Sequence, residues 1–136
     1  MLTLTLDLES EVPVYRQIAL ELRAKIARRE LVPGDALPSV RELGHRLAVN
    51  LNTVAKAYRL LAAEGLVELR PGAGARVAAG EAPPVRPPSA DDRRLLKHVI
   101  GQWASRGLDR KAVEASLLRA ARDFFGKAPR APRGSR

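Results

Sequence analysis

Two helix-start signals lie close together in the middle of the chain, and their spacing restricts the fold more than any other feature. Ser39, followed three residues later by Glu42, forms a capping-box pattern that predicts a short helix from Ser39 to about Ala48. Segment 49–52 then predicts a tight turn whose asparagines can cap another helix. We therefore expect two short helices joined by a turn, with the second helix on a convex surface.

Hydrophobic periodicity on both sides of this pair completes the pattern. Before it, apolar residues at every fourth position predict a helix from Pro13 to about Arg29. After it, the third helix is expected to end at Gly65, and segments 66–70 and 75–78 are typical of two strands joined by a turn. The order predicts a winged helix-turn-helix, in which the third helix enters the major groove of DNA.

Leucines alternate with polar residues over 2–8, which predicts a half-buried strand or an extended arm at the N-terminus. Segment 80–89 contains four prolines and predicts a stiff, extended linker. Beyond it, two apolar helical stripes are separated by Gly107, and Asp109 can cap the second helix.

These patterns predict a mainly α fold with a small β wing, followed by a two-helix C-terminal appendage for dimerisation. We assign the winged helix-turn-helix domain to 1–79, with the extended arm at 1–11. The proline-rich linker takes 80–90, a helical hairpin for dimerisation or effector binding takes 91–126, and a basic tail expected to be disordered takes 127–136.

The net charge of +9 favours a polyanionic partner, with nucleic acid ahead of an anionic membrane surface. The chain has no cysteine, which excludes disulfides and Cys-ligated metal sites and fits a reducing compartment. The N-terminus lacks the pattern of a signal peptide, and no apolar stretch is long enough to span a bilayer. We therefore expect a cytoplasmic, nucleoid-associated protein without a membrane partner.

Polar side chains on the expected reading surface match the chemistry of DNA. Asparagine can bond adenine through two contacts, and lysine and threonine can reach bases or phosphates. Arginine near a helix start can hold a phosphate or base bidentately, and a glycine turn lets backbone approach DNA closely. The residues expected to contact double-stranded DNA are Ser39, Arg41, Asn50, Asn52, Thr53, Lys56, Arg59, Arg70, Gly72 and Gly74.

Other interpretations stay open for some of these residues. Asn50 and Asn52 have the side chains of ordinary helix caps as well as of base readers. Tyr58 shares a face with the apolar positions of the third helix, so we expect it in the core rather than as a stacking platform for bases.

At residues 12–78 the sequence resembles the GntR family of bacterial regulators. The resemblance is carried by PVYRQI at 13–18, LVPGDALPSVREL at 31–43, VNLNTV at 49–54 and YRLLAAEGLV at 58–67. It implies DNA contacts from Arg41, Asn50, Asn52, Thr53 and the Gly72 wing tip. Two departures weaken individual contacts: Leu51 stands where the family often has Arg or Pro, and Ala75 stands where the wing usually has Thr.

Residues 79–136 follow the wing in this sequence, so from the resemblance we expect a member without the large C-terminal domains of the FadR, HutC and MocR groups. A short two-helix appendage is similar to the YtrA group. That likeness implies a dimer and genes that often neighbour those of membrane transport ATPases.

The C-terminal helices are expected to need a partner, because two short helices cannot bury both apolar faces on each other fully. We favour a second copy arranged with two-fold symmetry, and docking within a monomer stays the alternative. The residues expected in the dimer interface are Leu95, Leu96, Val99, Ile100, Trp103, Val113, Leu117 and Phe124.

These observations favour a sequence-specific regulator, a dimeric repressor of an inverted-repeat operator in its own operon with transporter genes. A non-specific architectural DNA-binding protein and a protein-interaction module are the alternatives. No catalytic residue, metal site or cofactor is expected, and His45 and His98 are interpreted as surface residues. A small-molecule effector stays open, since no convergent polar group indicates its site.

Overall fold

The structure is a computed structural model that describes residues 2–72, 74–80 and 85–126. It divides into two compact units, Met1–Pro83 and Pro84–Arg136, which are treated separately below. The predicted basic tail at 127–136 and residues 81–84 of the predicted linker lie outside the described residues.

The first unit contains the predicted helix-turn-helix and wing. Its elements are α1 (Val14–Ala27), β1 (Ala36–Leu37), α2 (Val40–Leu47), α3 (Leu51–Ala63), β2 (Val67–Arg70) and β3 (Gly74–Val77). The strands form an antiparallel sheet in the order β1-β3-β2. The predicted two-stranded wing is therefore confirmed but incomplete, because β1 adds a third strand that is too short to show a sequence period.

Local capping explains why α2 and α3 begin where they do. The Ser39 hydroxyl accepts a hydrogen bond of 3.0 Å from the Glu42 N–H at the start of α2, which is one half of the predicted capping box. The helix ends at Leu47, and its C-cap is Ala48, a non-glycine residue in the left-handed region at φ 55°. The Asn50 side chain then accepts from the Asn52 N–H at 2.8 Å and starts α3.

Two helix ends differ slightly from the sequence prediction. α1 ends at Ala27 rather than near Arg29, because Arg29 has a left-handed φ of 60° that breaks the helix. α3 ends at Ala63, and Gly65 follows with a φ of 78° that reverses the chain into β2.

A single apolar cluster holds the first unit together and gathers residues from all three helices and all three strands. Its buried members are Ile18, Ala19, Leu22, Leu37, Leu43, Val54, Ala57, Tyr58, Leu61, Val67, Ala75 and Val77. Tyr58 is only 1% exposed, and its hydroxyl donates a 2.6 Å hydrogen bond to the Pro38 carbonyl. The expectation that Tyr58 belongs to the core is confirmed, and its hydroxyl ties α3 to the residue before the α2 cap.

The N-terminal segment is an extended arm rather than a strand. Over residues 2–6 the three leucines are half-buried against the core, while the threonines between them are exposed. The Gln17 side chain fixes the end of the arm, since it accepts from the Asp7 N–H and donates to the carbonyls of Asp7 and Val12 at 2.8–2.9 Å. The period-two pattern thus reflects one-sided packing without a hydrogen-bonded neighbour strand.

The second unit contains the two predicted C-terminal helices, α4 (Ala90–Ser105) and α5 (Arg110–Phe125). A reciprocal capping box between Ser89 and Asp92 starts α4. Ser89 was assigned to the linker, so this helix start was not predicted. Asp109 caps α5 as predicted, by accepting from the Ala112 N–H at 2.9 Å. Among the described residues, no helix combines the length and apolarity needed to cross a membrane.

Candidate nucleic-acid interface

The first turn of α3 holds the predicted asparagines, and the structure assigns them different surroundings. The amide oxygen of Asn50 is occupied as the helix cap. Asn52 is exposed, and its side chain makes no hydrogen bond within the described part of the chain. Thr53 beside it is half-buried. Asn52 therefore has the freer functional group for a base edge, whereas Asn50 sets where the helix begins.

One face of α3 is polar and exposed over two turns. Asn52, Lys56 and Arg59 follow one another at intervals of four and three residues, so they lie on the same side of the helix. Val54 and Tyr58 on the other side are buried in the core. The helix thus combines an anchored apolar face with a cationic and amide-bearing face that fits a major groove.

Lys56 is not free on this face, because its ammonium lies 4.1 Å from the centroid of the Tyr15 ring at the start of α1. Arg16 donates from Nε to the Tyr15 hydroxyl at 3.1 Å. This hydrogen bond, with the positive charges of Arg16 and Lys56, lowers the pKa of Tyr15. Tyr15 and Arg16 were not among the residues predicted for this surface. Their signal in the sequence was an aromatic–arginine pair near the start of an apolar helix.

The start of α2 and the wing turn border a common cleft of about 370 Å³ in the first unit. Ser39, Arg70, Gly72 and Gly74 are among the residues that line it. Both glycines have left-handed φ values, 74° and 80°, and neither has a neighbour within 4 Å of the position a Cβ would take. The backbone at this turn is therefore open to close approach.

Two exposed arginines, one on α2 and one on β2, differ in the charges that surround them. Arg41 is exposed on the first turn of α2 and makes no ion pair with any described residue. Arg70 is also exposed, but its guanidinium lies 3.8 Å from the Glu68 carboxylate. Arg41 consequently has a guanidinium without a competing carboxylate among the described residues. The positive charge of Arg70 is partly neutralised by Glu68.

The second unit exposes several of the apolar side chains predicted for the dimer interface. Leu95, Leu96 and Val99 are exposed, the first of them by 67%. Ile100, Trp103, Leu117 and Phe124 are half-buried. Val113 differs from the rest of the predicted interface set, because it is only 7% exposed within one copy and stabilises the hairpin itself. Leu118 and Phe125 were not predicted, yet they are 58% and 61% exposed.

No group of three or more potential metal ligands occurs among residues 2–72, 74–80 and 85–126. His45 and His98 are both exposed.

Comparison with known proteins places the chain among bacterial regulators. The family model for bacterial regulatory proteins of the gntR family matches residues 14–77. The HTH-type transcriptional repressor YtrA of Bacillus subtilis is 42% identical over 69 residues, which cover 51% of this chain and 53% of that protein. The chain thus spans about half the length of this curated relative.

Two solved structures match over most of both chains. YtrA from Sulfolobus acidocaldarius, a GntR-family transcription factor, is 34% identical with a TM-score of 0.53, covering 88% of this chain and 97% of that one. A transcriptional antiterminator from Listeria monocytogenes EGD-e is 25% identical with a TM-score of 0.82, covering 94% and 96%. The likeness therefore includes the C-terminal helices as well as the winged helix.

Proposed function

The chain belongs to the GntR family of bacterial regulators and is a YtrA-like transcriptional regulator with a DNA-binding domain; from this premise we propose that it is a dimeric repressor of an inverted-repeat operator. Regulators of this family are DNA-binding proteins and not enzymes. The observation that carries the proposal is the exposed polar face of α3, which stands on a buried apolar face and follows a capped turn.

In this proposal α3 lies in the major groove. Asn52, Thr53 and Arg59 contact base edges or nearby phosphates, with Asn52 suited to adenine. Asn50 contributes by fixing the start of the helix, and Lys56 by a phosphate contact from its place over Tyr15. These roles fit the exposure of Asn52, Lys56 and Arg59 along one side of the helix.

The remaining contacts of the proposal come from α2 and the wing. Arg41 reaches a base or phosphate from the first turn of α2, where no described carboxylate competes for it. Ser39 and the backbone at Gly72 and Gly74 bind phosphates around the cleft, and Arg70 adds charge beside them. In this proposal the base contacts come from the helices and the positioning contacts from the wing.

We propose that the second unit joins two copies. Leu95, Leu96, Leu118 and Phe125 are each 47–67% exposed on one copy, and we expect them to contribute to the apolar surface that the second copy covers. Two-fold pairing suits DNA, because it presents two identical α3 helices to two half-sites. Docking of the C-terminal helices within a monomer is the alternative, and a mass measurement in solution distinguishes it from a dimer.

The relative YtrA of Bacillus subtilis is a transcriptional repressor, which supports repression as the outcome of binding. We propose that the operator lies at the promoter of the protein's own operon, and that this operon includes transporter genes. Both points rest on the likeness to the YtrA group.

A non-specific architectural role is the second candidate, and the net charge of +9 favours it. The two functions predict different results when random DNA competes with the operator for the protein. The test is fluorescence anisotropy of the purified protein with its own upstream region, at several salt concentrations and against random DNA. Binding that survives the competitor, with a two-fold symmetric footprint, supports the regulator; binding that random DNA removes and salt abolishes supports the architectural protein.

Arg41→Ala provides the residue-level test. We expect it to weaken operator binding by about 1–3 kcal/mol, because a desolvated guanidinium contact is lost. The matched control is Arg106→Ala, which removes the same charge from an exposed site after α4 and should change affinity little. Equal effects of the two variants would contradict the role of Arg41.

A further inference from the structure

Leu51 has an unusual place for a large apolar side chain. It is the first residue of α3, directly after the Asn50 cap, and it is 43% exposed. Within α2 and α3, whose residues are all described, no other large hydrophobic side chain is exposed. It also lies outside the core cluster and outside the partly buried residues packed on that cluster. Packing against the core cluster therefore does not account for a leucine at this position.

The side chain is nevertheless held in position. A Cβ placed on Gly44 of α2 would lie 2.9 Å from Cδ2 of Leu51 and 3.1 Å from the Val49 carbonyl oxygen. Leu51 thus fills the space that the missing side chain of Gly44 leaves. One side of Leu51 rests on α2, and the other side faces outward on the turn that carries Asn50 and Asn52.

An exposed leucine among polar base readers has one complementary group in the major groove. Thymine is the base whose edge carries a methyl group there, and apolar side chains recognise thymine through that methyl. Leucine has no donor or acceptor for the other major-groove groups, so contact with them would leave polar base atoms unpaired.

We propose that Leu51 determines operator specificity by packing against the C5-methyl group of a thymine in each half-site. This inference rests on the proposed function, since it requires α3 to lie in the major groove. It adds an apolar contact to the amide contact of Asn52, so that neighbouring bases are read by different chemistry.

The test removes the methyl group without changing the protein. Each thymine of the footprinted operator is replaced in turn by deoxyuridine, which retains base pairing and lacks only the C5-methyl group. For the unaltered protein we expect affinity to fall about fourfold at one thymine of each half-site and little elsewhere, as for one buried methyl group. Anisotropy titration measures the change.

Two variants assign the effect to a residue. Leu51→Ala should bind the ordinary operator several-fold more weakly, and it should no longer distinguish thymine from uracil at the sensitive position. Leu20→Ala is the matched control, because Leu20 is 49% exposed on α1 and should retain the uracil effect. Circular dichroism checks that both variants are as helical as the parent protein.

The outcomes separate this inference from the proposed function. Operator binding that depends on Arg41 but tolerates uracil at every thymine overturns the role of Leu51 alone. A uracil effect that persists in Leu51→Ala assigns the methyl contact to another residue and also overturns it. Absence of any sequence preference overturns the proposed function together with this inference.

Discussion

The ammonium group of Lys56 lies 4.1 Å from the centroid of the Tyr15 ring, which connects the proposed recognition helix to the start of α1. The sequence indicated Lys56 only as a residue able to reach a base or a phosphate. In the structure its position is restricted by the ring, so part of the entropy cost of ordering a long side chain is met before DNA binds.

We expect Tyr15→Leu to weaken operator binding about two- to fivefold, because a surface cation–π contact contributes roughly 0.5–1 kcal/mol. Tyr15→Phe keeps the ring under Lys56 and loses only the bond from Arg16, so its effect should be smaller. Anisotropy titrations of both variants give the comparison.

Lys56→Ala is the reference for this pair. It should lower the slope of log affinity against log salt by about one, as expected for a lost phosphate contact. Adding Tyr15→Leu to it should then cause little further loss, since the ring has no cation to hold. Wild-type affinity in Tyr15→Leu alone, or fully additive losses in the double variant, would contradict the coupling.

Tyr58→Phe should lower the free energy of unfolding by about 1–3 kcal/mol, because it leaves the Pro38 carbonyl without its hydrogen bond in a part-buried site. Urea unfolding measures this change. The cavity cost is small because the ring is retained, so a much larger loss would indicate a different cause.

Alkaline pH tests the same residue. Burial raises the pKa of Tyr58 in the folded protein, whereas an unfolded tyrosine titrates near 10. Below pH 10 both states are protonated and the full stability is present. As pH rises above about 10 the unfolded state loses a proton that the folded state keeps, so the free energy of unfolding falls. Tyr58→Phe should make this fall shallower, and an unchanged slope would show that Tyr58 is not responsible.

Gly44→Ala should destabilise the first unit by about 1 kcal/mol, since the overpacking cost exceeds the gain in helix propensity. The added Cβ meets Cδ2 of Leu51 and the Val49 carbonyl oxygen at 2.9 Å and 3.1 Å. Gly101→Ala in α4 is the matched control. It has nothing within 4 Å of a new Cβ and should stabilise its helix by about 0.5–1 kcal/mol.

Urea unfolding followed by circular dichroism measures Gly44→Ala, and the fluorescence of Trp103, the single tryptophan, reports on the unit that contains Gly101. Stabilisation by both substitutions would show that the space beside Gly44 is not filled by Leu51.

Leu95→Glu should shift the protein from dimer to monomer in sedimentation velocity, because it places a charge in the proposed apolar interface. Lys97→Glu, on an exposed part of the same helix, should leave the mass unchanged. Operator affinity should fall with dimerisation in the first variant. A dimer that persists at micromolar concentration in Leu95→Glu would exclude this surface as the interface.

Much of the fold could be predicted from the sequence, since helix caps and apolar periods are local signals. Ser39, Asn50 and Asp109 cap the helices that they were expected to cap. β1 was missed because its two residues depend on pairing with β3, a contact between positions distant in the chain. The arm over 2–8 remained ambiguous because alternation is the same for a strand and for a one-sided packed segment.

The candidate site was less accessible to sequence reasoning. Residue types and positions indicated the α2–α3 surface, but not how its side chains are held. The contact between Lys56 and Tyr15 and the support of Leu51 by Gly44 both join separate helices, so no local pattern encodes them. Val113 is a further example. The apolar stripe that contains it could not distinguish packing within the hairpin from packing on another copy, and Val113 is buried within one copy.

The packing of Leu51 beside Gly44 has an evolutionary consequence. Since this side chain lies outside the core cluster, a nucleotide change in its codon alters the outer surface of α3 and the contact with Gly44 but none of the buried members of that cluster. Under the role proposed for Leu51, selection on this codon acts mainly through binding to promoter sequences and less through the amount of folded protein. Under that role, a single amino-acid replacement there gives one copy of a duplicated gene a separate set of target promoters.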